Sequence, residues 1–210
     1  QKNLQAELPD WNFEAVAAEA DRLWNEELAK IKVQTADKEA QKVFYTALYH
    51  SMIAPATFCD VDGTYRGADG KTYADPGHKT LTTFSLWDTY RAQHPLITLL
   101  HPTRSGDMMQ SLVDKYRQGG WLPIFPCWNS YTAPMIGDHA TAAIGDAYVK
   151  GVRNFDIHTA YEAMRKNAFT TPATYAEYAD GMGRRALRSY LTYGYIPVED
   201  SVKEAYHRQE

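Results

Sequence analysis

At 210 residues the chain can bury a sizeable core as one domain, and 22 Lys and Arg against 26 Asp and Glu leave a net charge of −4,. Nucleic-acid binding asks for a basic face and is set aside. Cys59 and Cys127 lie far apart and outside any paired-Cys spacing, which excludes a disulfide framework and a structural zinc site and leaves two free thiols,. The N-terminal residues carry no apolar leader and no run of about 18 apolar residues occurs, so the expectation is a soluble chain with no membrane span, any export signal removed or absent.

Asn12 reads as an N-cap, and Phe13, Val16, Leu23, Trp24, Leu28 and Ile31 recur at helical spacing behind it. A second helix is expected from near Asp37, carrying Val43, Phe44, Leu48 and Met52, and ending before Pro55, whose ring breaks the backbone ladder. Residues 57–83 turn to Gly, Asp, Tyr and Thr with turn signals at Asp62-Gly63, Asp69-Gly70 and Pro76-Gly77, a long excursion holding a short hairpin. Helical periodicity returns over residues 86–100, stops around Pro102, and resumes through Met108, Leu112 and Tyr116 to Gly119 and Gly120. Residues 121–134 are an aromatic- and proline-rich loop. A helix of small residues follows over 137–150 with Gly151 as its stop, then one capped by Asp156, then a Tyr- and Arg-rich stretch over 175–195 broken by glycines. From Val198 another helix begins. The reading is about six helices in antiparallel pairs, with long loops collecting Asp and Trp residues at one end.

The chemistry concentrates at Trp87-Asp88, with Tyr90 and Arg91 close by. An indole offers a flat apolar face to a sugar ring, and a carboxylate accepts hydrogen bonds from its hydroxyls. Asp88 also suits helix capping, and the cluster alone names no substrate. The Asp60-Val61-Asp62-Gly63 run has the alternating acids of a calcium loop, yet the twelfth position of an EF-hand is a Glu and here it is Lys71. These acids read as turn formers or as loop residues over a cleft. His50, His94, His101, His139 and His158 are scattered without zinc-hydrolase spacing, and no nucleophile elbow, phosphate loop or dinucleotide fingerprint occurs. Glycoside hydrolysis needs two carboxyl groups flanking the scissile bond, and the sequence offers many acids with no way to pair them.

Five segments, taken in order, resemble glycoside hydrolase family 92. They are residues 43–51 (Val-Phe-Tyr-Thr-Ala-Leu-Tyr-His-Ser), the Asp60 to Tyr65 loop, residues 84–95, Gly119-Gly120-Trp121-Leu122-Pro123, and Met135-Ile136-Gly137-Asp138-His139-Ala140. The resemblance implies a calcium-dependent exo-α-mannosidase acting on mannose-containing glycans with inversion, and an all-α fold: a partial (α/α)6 toroid of antiparallel helical hairpins with long loops at one end. Residues 1–35 would be a helical lead-in and residues 36–210 the first half of the barrel. Trp87 and Asp88 would belong to the terminal mannose subsite, with Trp128, Asn129 and the acids Asp60 and Asp62 at the rim. A wide separation of the catalytic acid and base suits inversion.

The family's acid motif (Glu-Gly-Asn-Ala-Trp type), its Gly-Asn-Glu-Pro motif and its late Asp-rich base motif do not occur in these residues, so no acid is assigned a catalytic role. Calcium, a hard ion that takes oxygen ligands, would find its ligands mostly outside this chain. The expectation is an N-terminal half of the catalytic domain that supplies substrate recognition and is inactive alone. The rival is a non-catalytic carbohydrate-binding or scaffold protein derived from the same fold, and another (α/α)6 glycosidase such as a trehalase relative fits the motif order less well. A half-barrel exposes an apolar seam, to be covered by the C-terminal half or by a homo-oligomer. The family's habit implies a secreted, periplasmic or cell-surface location.

Overall fold

The computed structural model describes residues 1–132, 134–174 and 181–200. The chain divides into two compact units, residues 1–54 with 60–62, and residues 55–59 with 63–210.

The first unit is helical: α1 (Lys2–Glu7), α2 (Phe13–Leu28) and α3 (Lys38–Ile53). Local chemistry sets both long helices. The Asn12 side chain accepts from the Ala15 N–H and Asp37 from the Ala40 N–H, each at 3.0 Å, satisfying first-turn donors that have no partner within the helix,. Helix α2 stops at Leu28, one turn short of the expected Ile31. The Tyr45 hydroxyl explains this, since it donates to the Ile31 carbonyl at 3.0 Å and accepts from the Val33 N–H at 3.2 Å, diverting that backbone from the helix. Trp24 and Tyr49 meet edge to face at 4.5 Å between α2 and α3,.

In the second unit the expected excursion forms two small antiparallel sheets. Strand β1 (Ala56–Thr57) pairs with β4 (Leu81–Thr82), and β2 (Thr64–Arg66) pairs with β3 (Thr72–Ala74) with Tyr65 opposite Tyr73. Helices α4 (Leu86–Thr89), α5 (Gln93–Leu100), α6 (Pro102–Gly119), α7 (His139–Val149), α8 (Ile157–Phe169) and α9 (Leu187–Tyr193) follow. The single helix expected over residues 86–100 is two, and Pro95 is the reason. In a continuous helix its ring would press on the Arg91 carbonyl, whereas in the first turn of α5 its missing N–H costs nothing,. Helix α6 opens on Pro102 for the same reason and closes at Gly120, φ 84°, whose N–H reaches the Tyr116 carbonyl at 2.7 Å,.

The core joins Phe84 and Leu86 to Ile97 of α5, Met108, Met109, Leu112 and Val113 of α6, Ala140, Ala143, Ile144 and Ala147 of α7, and Ala160 and Ala163 of α8. Small residues bring α7 and α8 close to this layer, as their spacing predicts. Asp156 caps α8 through the Thr159 N–H at 3.0 Å,. Buried Asn167 pairs with both the N–H and the carbonyl of Leu122 at 3.3 Å, fixing the start of the 121–132 loop. Of the Tyr- and Arg-rich stretch, residues 175–180 lie outside the described residues, and α9 ends at Gly194 with φ 75°. Residues 198–200 are helical as expected, and the remainder of that element lies outside the described residues.

Candidate functional site

Helix α4 is one turn long, so its side chains sit on a short, well-anchored corner rather than within a long rod. Asp88 accepts a hydrogen bond from the Ser85 hydroxyl and keeps an exposed carboxylate. The Arg91 guanidinium lies 5.2 Å from the Trp87 ring centroid and 5.1 Å from that of Tyr90, which is cation–π distance. Tyr90 stacks on His139 at 4.3 Å with the rings 15° apart, joining this corner to the first residue of α7. Burial and the neighbouring Arg91 charge push the His139 imidazole below its usual range, against a smaller opposing effect of Asp138,. It is therefore neutral at pH 7 and holds both a donor and an acceptor nitrogen.

Asp138 itself is nearly covered and fully engaged. Arg184 grips one of its oxygens through Nε at 2.9 Å and Nη2 at 2.7 Å, the Thr141 hydroxyl donates at 2.8 Å and Asn167 at 3.3 Å. A carboxylate so bonded, with three of its four donors on one oxygen, positions the residues around it. The pair forms one wall of a cavity of about 470 Å³, otherwise lined mainly by apolar groups including Ile124, Ile136, Leu187 and Ile196.

Trp128 and Asn129 occupy the centre of a two-residue turn closed by Cys127 N–H to Ser130 carbonyl at 3.1 Å and the reverse at 2.9 Å. Trp128 is 69% exposed and held at φ 49°, a region that bulky L residues rarely adopt. Its carbonyl accepts from the Thr82 hydroxyl at 2.7 Å and from the Lys115 ammonium at 3.5 Å. Thr83, next to that hydroxyl, is also at positive φ, 64°. Two such residues store strain on the order of 1–3 kcal/mol each. With the Phe84 N–H on the Pro126 carbonyl at 3.1 Å, these bonds tie residues 82–84 to residues 126–128.

The six residues expected at the site thus fall into two groups. Trp87 and Asp88 lie on α4 and Trp128 and Asn129 in the 127–130 turn, all in the second unit. Asp60 and Asp62 belong to the first unit, where Asp60 accepts from Asn3 at 2.7 Å and Asp62 pairs with Lys2 at 2.8 Å. His139, one of several scattered histidines in the sequence, meets Tyr90 only in the fold; its place after Gly137 and Asp138 at a helix start marks the position but not the partner. Among the described residues no group of three or more His, Cys, Asp or Glu is arranged to hold a metal ion.

The helix-rich fold and its sequence place the chain among the glycoside hydrolases. The chain belongs to the glycosyl hydrolase family 92, whose catalytic-domain profile matches residues 1–209. It is similar to a family GH92 alpha-mannosidase of Bacteroides thetaiotaomicron, with 35% identity and a TM-score of 0.85 over 97% of this chain and 26% of that one. That relative is also known in complex with mannoimidazole. A family GH92 inverting mannosidase from the same species (strain VPI-5482) is 28% identical with a TM-score of 0.85, over 93% of this chain and 26% of that one. An uncharacterized secreted glycosidase of Arthroderma benhamiae is 30% identical over 206 residues, 95% of this chain and 22% of that protein. The chain therefore spans about a quarter of the length of these relatives. Among the described residues no helix is long and apolar enough to cross a membrane.

Proposed function

We propose that this chain is the sugar-recognising part of an exo-α-mannosidase that removes terminal α-mannose from glycans with inversion. The observation that carries the reading is the Trp87–Asp88 corner. A flat indole backed by Arg91, an exposed carboxylate and a neutral His139 beside Tyr90 provide a stacking face, acceptors and donors for a ring rich in hydroxyls,. Trp87 and Asp88 form the terminal mannose subsite and Trp128 and Asn129 its rim. Family membership, the mannosidase relatives and the mannoimidazole complex of one of them support the substrate class.

In this reading residues 1–35 are a lead-in and residues 36–210 the first half of an (α/α)6 toroid. The helical pairs of the second unit suit that arrangement. The general acid, the base and most calcium ligands of the whole enzyme lie outside these residues, and the location is secreted, periplasmic or at the cell surface, of which the Arthroderma relative's description supports secretion. Leu99, Val149 and Phe169 are exposed apolar side chains, and in this reading the C-terminal half or a second copy covers the open seam. A stand-alone carbohydrate-binding or scaffold protein should instead be a stable dimer in solution.

The test is release of mannose from a simple α-mannoside by the purified, cooperatively folded chain, in calcium and in chelator. No turnover in either is expected. Calcium-dependent turnover would mean that acids within these 210 residues do the chemistry and would overturn the division of labour.

A further inference from the structure

The turn at Trp128 carries two unfavourable features at once. A large aromatic side chain stands mostly in water, and its backbone is held at φ 49° although the next residue, Asn129, is of a type that tolerates this region better,. Neither feature helps the fold. What maintains them is a pair of donors reaching one atom: the Thr82 hydroxyl at 2.7 Å and the Lys115 ammonium at 3.5 Å both point at the Trp128 carbonyl. Fixing that oxygen fixes the peptide plane after Trp128, so the turn cannot relax by flipping without breaking both bonds.

Lys115 is itself an unusual residue for this duty. It is 5% exposed on α6, where burial pulls its ammonium down to about 8 against the smaller pull of Asp114, and a lysine is rarely covered this fully. The rest of the loop is equally constrained. The Tyr131 hydroxyl sits 2.5 Å from the Lys115 carbonyl and 2.6 Å from the Trp121 carbonyl, and Thr132 bonds the Phe125 carbonyl. The loop has a rigid base and an exposed indole at its tip. Preorganised aromatic faces of this kind bind with little further loss of conformational freedom.

From this geometry we infer that Trp128 is a preset stacking platform for a pyranose ring of the bound glycan, and that Thr82 and Lys115 are positioning residues that hold it in place. This deepens the mannoside reading above and rests on it. Neither positioning residue touches the sugar; both act through the Trp128 carbonyl.

The experiment is a titration of the full chain with an α-linked mannobiose, followed through the five tryptophan indole N–H signals in a two-dimensional NMR spectrum. Trp128→Phe and Trp87→Phe identify two of those signals by their loss. The Trp128 signal is expected to move on titration. Thr82→Val and Lys115→Met are each expected to weaken binding by about fivefold, with Thr82→Ser restoring it. A Trp87 signal that moves while the Trp128 signal stays would overturn the platform and leave the mannoside reading standing. A moving Trp128 signal with unchanged affinity in Thr82→Val and Lys115→Met would overturn the positioning role. No indole signal moving at all would remove the mannoside reading together with the platform.

Discussion

Helices α2 and α6 carry comparably clear apolar stripes, yet they meet opposite fates. Leu112, Val113, Met108 and Met109 of α6 are sealed in the core, while α2 buries no residue and leaves Phe13 78% exposed. The contrast teaches that periodicity identifies the face a helix intends to cover and says nothing of what covers it. A stability scan can break this comparison. Leu112→Ala should cost about 2–5 kcal/mol in urea denaturation, because the surrounding core relaxes only partly into the cavity. Equal costs for Leu112→Ala and Phe13→Ala would contradict the division.

The next largest effect is electrostatic and again separates a sealed site from an open one. His94 on α5 is buried with neither ring nitrogen partnered among the described residues, and burial lowers it from 6.5 to about 4, Asp146 opposing weakly. The sign follows directly. Above pH 6.5 the ring is neutral in both folded and unfolded chains; below it the unfolded chain takes up a proton that the folded chain refuses,. Stability should fall between pH 6.5 and about 4 by about 3 kcal/mol in total from this residue,. Denaturant midpoints against pH should show a shallower acid slope in His94→Phe. An unchanged slope would show that the ring finds a partner in solution.

Helix caps sharpen the comparison at the next scale. Asp156→Ala should cost about 1 kcal/mol, since a first-turn donor loses its acceptor, and Asp37→Ala a similar amount, both read from thermal or urea unfolding. Smallest of all, Phe13→Ala should stay within about 0.5 kcal/mol in this chain, as an exposed substitution does.

These scales also explain what could be read from the sequence. Asn12, Asp37, Asp156 and Gly120 declare themselves because a cap or a left-handed stop is a local event, decided within four residues. The break between α4 and α5 hides beneath continuous apolar periodicity, although Pro95 is its physical cause. Trp87 and Asp88 stand out as types suited to a sugar. Their partners do not, because the Tyr90–His139 stack joins residues 49 apart in the chain and nothing in either segment announces it. The left-handed Trp128 is hidden more deeply, since residue type argues against it and only the distant Thr82 and Lys115 donors make it stable.

The most direct test of the central claim, that the Trp87 corner recognises mannose, is calorimetric titration of the chain and of Trp87→Ala with α-mannobiose at matched fold stability. Saturable binding by the parent chain that is lost in Trp87→Ala is the predicted result. Equal binding by both chains, or none by the folded parent, would contradict it.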